Sequence, residues 1–178
     1  INEQAKIKNP VSPGNYTLRV RTTAPLDNGW ATSNAYTISQ SSSNVSSAAV
    51  IPNPSVASEA ASYTISFTTG NAGSLAAGES TINLAFPSET TIPNGSLSGI
   101  TVNGTGANAY ANNDTVIITT PVDVDNEGNV NIYCAVGSGL INPAASGSYN
   151  ISVSTSTETS FVTSDAYNIS PAGQLSIT

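Results

Sequence analysis

The chain has 178 residues, of which 8% are charged, and it contains neither His nor Met. Soluble globular domains usually carry about 25% charged residues. Because a Ser-His-Asp triad and an imidazole metal site both need histidine, both are excluded, and the sequence predicts a protein that is not an enzyme. The chain has no run of about 18 apolar residues, so it predicts no membrane span.

The basic residues are confined to the start of the chain. All four of them, Lys6, Lys8, Arg19 and Arg21, lie in the first 21 positions, where Glu3 is the single acid. The remaining 157 residues hold ten acids and no base. One reading is that the uneven distribution arose by chance and that all these charged side chains lie on solvated faces. The other is that the basic segment packs on an acidic neighbour in the same or another molecule. A nucleic-acid partner is disfavoured because most of the surface would repel phosphate.

Residues 1–40 predict a β-hairpin. Residues 16–21 alternate apolar and polar side chains with the period of two that a half-buried strand requires. Residues 25–29, Pro-Leu-Asp-Asn-Gly, favour a turn because Asn-Gly readily adopts positive φ. A second strand follows through Tyr36 and Ile38. A lone hairpin is marginally stable in water, so we expect it to pair with strands from the preceding part of its own repeat or from another subunit.

Residues 41–47 are interpreted as a Ser-rich linker, and residues 48–170 predict one complete all-β domain. Its seven or eight short alternating runs, separated by Gly, Pro and Asn turns, predict an immunoglobulin-like antiparallel β-sandwich. The predicted strands are 48–51, 62–69, 80–86, 99–103, 115–120, 129–136, 148–155 and 163–169. The predicted inward side chains are Tyr63, Ile65, Phe67, Ile82, Leu84, Phe86, Ile100, Val102, Val116, Ile118, Val130, Ile132, Cys134, Val136, Tyr149, Ile151, Val153, Tyr167 and Ile169.

The end of this domain repeats the start of the chain. Residues 141–170 align with residues 7–39 once a two-residue insertion in the first copy is allowed. An offset of about 131 residues is that of a whole domain and far exceeds a solenoid repeat. We therefore predict a tandem repeat in which 1–40 is the tail of a truncated first copy and 171–178 begins another copy or is an exchanged strand. The matched pairs include Asn9-Pro10 with Asn142-Pro143, Gly14 with Gly147, Tyr16 with Tyr149, Leu18 with Ile151, Val20 with Val153, Tyr36 with Tyr167 and Ile38 with Ile169.

The stretches YTISFTTGNAGSLAAGESTINLAFPSETTIP, GITVNGT and SGLINPAASGSYNISVSTSTETSFVTSDAYNIS carry a family resemblance. They resemble an immunoglobulin-like repeat of large secreted proteins of bacteria and archaea, including surface-layer proteins and cell-surface array or filament proteins. The resemblance implies an extracellular location at the cell surface. Tandem copies in such proteins are commonly whole, whereas the first copy here is truncated, and residues 123–127 are more acidic than that turn usually is.

Asp123, Asp125 and Glu127 alternate along the chain, so an extended segment would present their carboxylates on one face. Like charges so placed repel one another unless a hard cation with oxygen ligands neutralises them. The segment is therefore either a solvated hairpin turn closed by Gly128 or a calcium site. Calcium is the one cofactor that the sequence suggests.

Cys134 is the only cysteine, so no internal disulfide can form. Its phase with Ile132 and Val136 favours a buried small hydrophobe over a reactive or intermolecular thiol. Seven Asn-X-Ser/Thr sequons occur, but so many Asn, Ser and Thr residues would produce about five by chance. N-glycosylation is therefore predicted at the loop residues Asn44, Asn94 and Asn103, with chance matches as the alternative.

Two classes of function fit this sequence. In the first, the chain is a structural module of an extracellular surface layer or filament, and copies of it polymerise head to tail through β-strand or hairpin complementation. Its assembly residues would be Lys6, Lys8, Arg19 and Arg21 with Leu175 and Ile177 of the last strand. In the second, it is a stalk or adhesive module that recognises a cell-surface glycan or host surface through its loops. That function predicts a cluster of exposed aromatics, yet the seven Tyr residues mostly fall at strand positions in the phase of the core. Trp30 aligns with Phe161, so a shared packing role competes with a sugar platform there.

Overall fold

The computed structural model describes residues 10, 14–23, 29–38 and 44–173. Throughout this part of the chain the regular elements are β-strands and one 3-10 turn, Val136–Ser138, so the predicted all-β class is confirmed. The chain divides into two compact units, Ile1–Ser41 and Ser42–Thr178. No helix of the described residues is long and apolar enough to cross a bilayer.

The described residues of the first unit form four short strands, β1 (Gly14–Tyr16), β2 (Arg19–Val20), β3 (Ala31–Thr32) and β4 (Tyr36–Ile38). β1 pairs with β4 and β2 pairs with β3, both antiparallel, which gives the predicted hairpin. The run predicted as one strand over residues 16–21 is broken after Tyr16. There the Leu18 N–H donates to the side-chain oxygen Ser33 Oγ at 2.9 Å. Because this N–H does not donate to a backbone carbonyl of the opposite strand, the ladder is interrupted.

The second unit holds the remaining strands. In chain order they are β5 (Ser46–Asn53), β6 (Ser62–Thr68), β7 (Thr81–Ala85), β8 (Gly95–Leu97), β9 (Ile100–Val102), β10 (Thr105–Gly106), β11 (Asn108–Asn112), β12 (Thr115–Thr119), β13 (Asn129–Cys134), β14 (Gly147–Tyr149), β15 (Ser152–Thr155), β16 (Val162–Thr163) and β17 (Tyr167–Ile169). One antiparallel sheet has the order β10-β9-β13-β6-β5, and the other has the order β16-β15-β7-β12-β11-β8. β14 pairs with β17 in a two-stranded sheet. β5 starts two residues before the predicted domain boundary, and Val45 ahead of it is buried.

The inward side chains of both sheets form one buried apolar cluster, so the second unit is an antiparallel β-sandwich. Period-two alternation predicted this cluster well, because each strand turns every second side chain toward the facing sheet. Tyr149 is half-buried at the edge of the cluster. Val136 is a wrong prediction: β13 ends at Cys134, and the 3-10 turn that follows leaves Val136 49% exposed.

The two runs predicted as long final strands each divide into two strands. Residues 148–155 become β14 and β15, and residues 163–169 become β16 and β17. β15 joins the six-stranded sheet through β7, whereas β14 pairs with β17 outside it. Between β14 and β15, the Ile151 N–H donates to Ser164 Oγ at 3.1 Å, which interrupts the ladder as Ser33 does in the first unit.

No strand from β5 to β17 contains a charged residue. Every acid between residues 44 and 173 lies in a turn or loop, and this range contains no Lys or Arg. The outward strand positions carry Ser, Thr and Asn, interrupted by exposed apolar or aromatic residues such as Ile51, Tyr110 and Tyr133. The fold therefore rests on backbone ladders and apolar burial, and not on ion pairs between strands.

Asn142, the Asn of the repeated Asn-Pro pair, is buried and ties together three parts of the sandwich. Its Oδ1 accepts from the Tyr63 hydroxyl at 2.6 Å, and its Nδ2 donates to the Pro54 and Val56 carbonyls at 2.7 and 2.8 Å. Its backbone N–H donates to the Glu59 carbonyl at 2.9 Å. The repeated motif is thus a structural anchor between the start of the final hairpin and the segment after β5.

We predict that Asn142→Ala destabilises the second unit by about 2–4 kcal/mol, because it leaves a buried hydroxyl and two carbonyls without partners. Asn112→Ala is the matched control, since Asn112 is exposed on β11. Urea unfolding of both variants measures the difference. Equal effects on the free energy of unfolding would show that the buried network contributes nothing.

Burial raises the pKa values of one thiol and two tyrosine hydroxyls in the core, so all three are protonated at neutral pH. Burial raises the pKa of the Cys134 thiol and of the Tyr167 hydroxyl to about 12 in each case. Burial also raises the pKa of Tyr63, with a further contribution from Tyr167 beside it. Cys134 is therefore a protonated, buried side chain, as its phase in β13 predicted.

These raised pKa values predict alkaline destabilisation. The stability is fully present below the unfolded pKa values, about 9 for Cys and 10 for Tyr. It is lost as the pH rises toward 12, because the unfolded chain releases protons that the folded chain holds. Tyr167→Phe should reduce the slope of the free energy of unfolding against pH by up to about 1.4 kcal/mol per pH unit. Urea unfolding between pH 8 and pH 12 measures it, with the exposed Tyr110→Phe as control; identical profiles for the two variants would contradict the prediction.

Candidate functional site: a hairpin that occurs twice

The same hairpin occurs in both units. We call residues 14–38 the first hairpin and residues 147–169 the second hairpin. In the first, Gly14 pairs with Ile38 and Tyr16 with Tyr36. In the second, the equivalent pairs are Gly147 with Ile169 and Tyr149 with Tyr167.

The inner halves of the hairpins also correspond. Arg19 pairs with Thr32 in the first hairpin, and Ser152 pairs with Thr163 at the equivalent positions of the second. The Ser33 N–H donates to the Leu18 carbonyl at 2.8 Å, and the Ser164 N–H donates to the Ile151 carbonyl at the same distance. Two segments far apart in the chain therefore share one backbone register and one pattern of side-chain bonds.

The two hairpins differ in burial. Ile151 and Val153 of the second hairpin are both 0% exposed, whereas the aligned Leu18 and Val20 are 64% and 59% exposed. Burying one such side chain contributes roughly 1.5–3 kcal/mol. The face of the first hairpin that bears Leu18 and Val20, which we call its apolar face, is thus exposed although its twin lies in a core.

The covering of the second hairpin is visible in the second unit. β15 pairs with β7 along Ser152–Thr155, while β16 and β17 contact β5. The Tyr167 ring meets the Tyr63 ring edge-on, with centroids 6.2 Å apart and an interplanar angle of 89°. A body that carries equivalents of β5, β6 and β7 is therefore what an apolar face of this kind packs against.

The opposite face of the first hairpin is cationic and aromatic. The guanidinium carbons of Arg19 and Arg21 lie 5.1 and 4.9 Å from the centroid of the Trp30 ring. Both distances are within the cation–π range of about 6 Å. Trp30 is 50% exposed and the aligned Phe161 is 52% exposed, so this aromatic position is on the surface in both hairpins.

The other predicted assembly residues, Lys6, Lys8, Leu175 and Ile177, lie outside the described residues. Of the predicted set, the structure brings together Arg19 and Arg21, which alternate on β2 and the residue after it. The pairing of both with Trp30 was missed from the sequence. The cross-strand register explains the contact, because Thr32 lies opposite Arg19 and Trp30, two residues before Thr32, falls on the same face.

The predicted metal ligands do not converge. Asp123 Oδ1 accepts from the Ala77 N–H at 2.7 Å, and Val124 between the two Asp residues is buried against Leu75. The chain then turns from Asp125 to Gly128, where a Cβ on Gly128 would lie 2.7 Å from the Asp125 carbonyl oxygen. Within the described residues no group of three acidic, His or Cys side chains is arranged to hold a metal. Calcium binding at Asp123, Asp125 and Glu127 stays a prediction.

One acid was missed by sequence reasoning. Glu158 is 3% exposed, and its two carboxylate oxygens accept the Gly70 N–H at 3.0 and 3.2 Å. A Cβ on Gly73 would clash with this carboxylate, so a larger residue there would force the buried Glu158 side chain to shift. The role is structural: Glu158 joins the loop after β15 to the loop after β6. Neither spacing nor composition distinguishes it from the exposed acids.

The predicted glycosylation residues all lie on the surface. Asn44 is exposed, and Asn94 is exposed with its Oδ1 accepting the Asn113 N–H at 2.8 Å. Asn103 is exposed too, but its Nδ2 donates to the Asn129 carbonyl at 3.3 Å and its Oδ1 accepts from Asn131 at 2.8 Å. Since glycosylation modifies Nδ2, Asn94 is better placed than Asn103. Modification at these residues stays a prediction.

A shallow depression of about 320 Å³ lies on the outer face of the six-stranded sheet. Tyr110, 55% exposed, stands between Ser96 and Ile117 in the strand register. On the other sheet Tyr133, 44% exposed, lies opposite Thr64 and Thr101. The residues that line the depression are Ser96, Leu97, Asn108, Ala109, Tyr110, Ile117 and Thr119.

Comparison with known proteins adds little to this geometry. No protein-family model and no curated protein matches the chain. Among solved structures, the chain is similar to one described as the crystal structure of BslA, a bacterial hydrophobin. The two share 14% identity with a TM-score of 0.42, over 70% of this chain and 96% of that one. A TM-score at this level does not establish a shared fold.

Proposed function

We propose that this chain is a structural module of an extracellular self-assembling layer or filament, joined to its neighbours by hairpin complementation. The observation that carries the proposal is that one hairpin occurs twice in the same register, with Ile151 buried in one copy and Leu18 exposed in the other. An exposed apolar face whose equivalent is buried in the other hairpin favours contact with a partner.

The strand order supports an immunoglobulin-like repeat. β5, β6, β13 and β9 are adjacent in one sheet, as strands A, B, E and D are in that fold. β7, β15 and β16 are adjacent in the other sheet, as strands C, F and G are. In this assignment each hairpin is an F–G pair, and β8, β10, β11 and β12 are additions. The first hairpin is then the F–G pair of another copy of the repeat.

The partner of the first hairpin is a body like residues 44–140. In the second unit the position beside β7 is already filled by β15. A complete second unit therefore has no vacant edge there, and the first hairpin must be covered by a different body or by exchange with a second hairpin. Between copies of the 178-residue chain the contact forms by exchange: the first hairpin of one molecule takes the place of the second hairpin of the next. Such a contact is heterologous, and its repetition gives an open polymer.

We predict that the 178-residue chain forms long assemblies and that Leu18→Asp abolishes them, because burying an unpaired carboxylate is costly. Ile51→Asp is the matched control: Ile51 is 65% exposed against 64% for Leu18, but lies on an outer sheet face. Both variants should keep the wild-type melting temperature of the second unit. Ile151→Asp should lower its stability by more than about 4 kcal/mol, since that face is covered.

Electron microscopy and sedimentation velocity measure the assemblies, and calorimetry measures the second unit. Assemblies of Leu18→Asp as long as those of the wild type would contradict complementation through this face. A wild-type chain that stays monomeric at all protein and salt concentrations would contradict self-assembly itself.

A second candidate function, recognition of a neutral glycan, is favoured by the surroundings of Tyr110. Its exposed ring lies in the depression beside Ser96, Asn108 and Thr119. Aromatic rings offer apolar area to sugar rings, while hydroxyl and amide groups satisfy sugar hydroxyls. All these groups are uncharged, which suits a neutral sugar.

For this candidate we predict that Tyr110→Ala reduces binding to neutral oligosaccharides by tenfold or more, which corresponds to about 1.4 kcal/mol of binding free energy. Tyr133→Ala, which removes a comparably exposed ring from the other sheet, should leave binding unchanged. Glycan arrays followed by titration calorimetry provide the measurement. Equal losses in the two variants, or no binding by the wild type, would end the glycan hypothesis.

A further inference from the structure

The cationic face of the first hairpin, formed by Arg19, Arg21 and Trp30, is a preorganised surface patch. Both guanidinium groups lie against one indole ring, which restricts two otherwise flexible side chains. A guanidinium is planar, weakly hydrated and suited to carboxylates. Arg19 and Arg21 are exposed, and they alternate with Val20 so that they point away from the apolar face. In the second hairpin, whose apolar face is covered, the equivalent Ser152 is half-buried and Ser154 is 1% exposed, whereas Phe161 stays 52% exposed. After covering, the arginines therefore reach solvent through their longer side chains, beside an aromatic ring that stays exposed.

The hairpin fold does not need these charges. At the positions of Arg19 and Arg21 the second hairpin has Ser152 and Ser154, and it forms the same pairings. Only the aromatic ring is kept, as Phe161 in place of Trp30. The two arginines are thus a feature of the first hairpin alone, and an explanation by local stability does not account for them.

The complementary charge is in the second unit. Residues 44–173 contain nine acids and no base. Four of the acids, Glu79, Asp123, Asp125 and Glu127, are exposed on two loops that are joined to each other. The Ala77 N–H donates to Asp123 Oδ1 at 2.7 Å, and the Glu127 N–H donates to the Gly70 carbonyl at 3.0 Å. These loops, residues 70–80 and 121–128, are called the acidic loops below.

We propose that Arg19, Arg21 and Trp30 of one copy bind the acidic loops of a second copy. This inference rests on the proposed self-assembly and adds a second contact to it, on the opposite face of the hairpin. Because the patch and its acceptor are different surfaces of the molecule, the contact is heterologous and orders the copies head to tail. Charge attraction between exposed groups makes it sensitive to salt.

The decisive variant converts the first hairpin to the residues of the second, Arg19→Ser with Arg21→Ser, in the 178-residue chain. Two or three exposed ion pairs correspond to roughly tenfold in the association constant. We expect the wild type to associate about tenfold more tightly at ~50 mM than at ~500 mM NaCl, and the double variant to be weak in both. Sedimentation velocity measures the association. Wild-type association by the double variant overturns the inference.

The acceptor is tested with matched neutralisations. The acidic-loop triple, Asp123→Asn, Asp125→Asn and Glu127→Gln, should lose association as the double arginine variant does. A control triple removes the same charge from other loops and should associate like the wild type; it consists of Glu59→Gln, Glu89→Gln and Asp114→Asn. Equal losses in the two triples would mean that net charge alone matters and would overturn the specific contact.

A charge exchange distinguishes a contact between copies from one within a copy. Arg19→Glu with Arg21→Glu should not associate alone, nor should Asp123→Lys with Asp125→Lys, whereas a mixture of the two should. No association in the mixture overturns the inference. So does a wild type that stays monomeric yet binds a carboxylated polysaccharide through the arginines, which would make that polymer the partner.

The two proposals fail separately. If the Arg19→Ser, Arg21→Ser variant assembles normally while Leu18→Asp does not, the cationic contact is wrong and complementation stands. If Leu18→Asp assembles and the arginine variant does not, complementation through the apolar face is wrong.

Discussion

The covering of one apolar hairpin face is the interaction on which the second unit depends. Ile151 and Val153 reach the core only because β15 lies against β7, and Asn142 fixes the start of that hairpin to the segment after β5. The first hairpin has the same register and the same internal bonds, with Leu18 and Val20 exposed. A two-stranded ribbon holds its shape weakly without such support. Among the residues that the structure describes, this face is therefore covered in one hairpin and exposed in the other.

Much of the core could be predicted from the sequence, because period-two alternation places residues such as Ile65, Ile118 and Ile132 on inward faces. β11 escaped prediction because its inward residues, Ala109 and Ala111, are too small to give an apolar signal. Val136 was wrongly predicted because alternation continues by chance after β13 ends. Periodicity reports which side chains suit a buried face and does not report where a strand stops.

The candidate site was less accessible to sequence reasoning. The repeat identified the hairpin and its need for further strands to pack against, and the confinement of basic residues identified Arg19 and Arg21. Their contact with Trp30 depends on the cross-strand register. That register is set by the length and type of the turn, which the sequence does not fix. The alternation of Asp123, Asp125 and Glu127 suggested a shared face, but the turn that ends at Gly128 takes the chain out of extended geometry. Both features depend on the backbone conformation of a turn, which side-chain alternation does not predict.

The absence of charge from β5 to β17 has a consequence for how such a material would behave. Dissolved ions screen charges at the surface and leave backbone ladders and apolar burial nearly untouched. Of the two proposed contacts between copies, the one between the arginines and the acidic loops would weaken in salt, whereas complementation through the apolar face would not. Concentrated salt would therefore loosen such an assembly while every subunit stays folded.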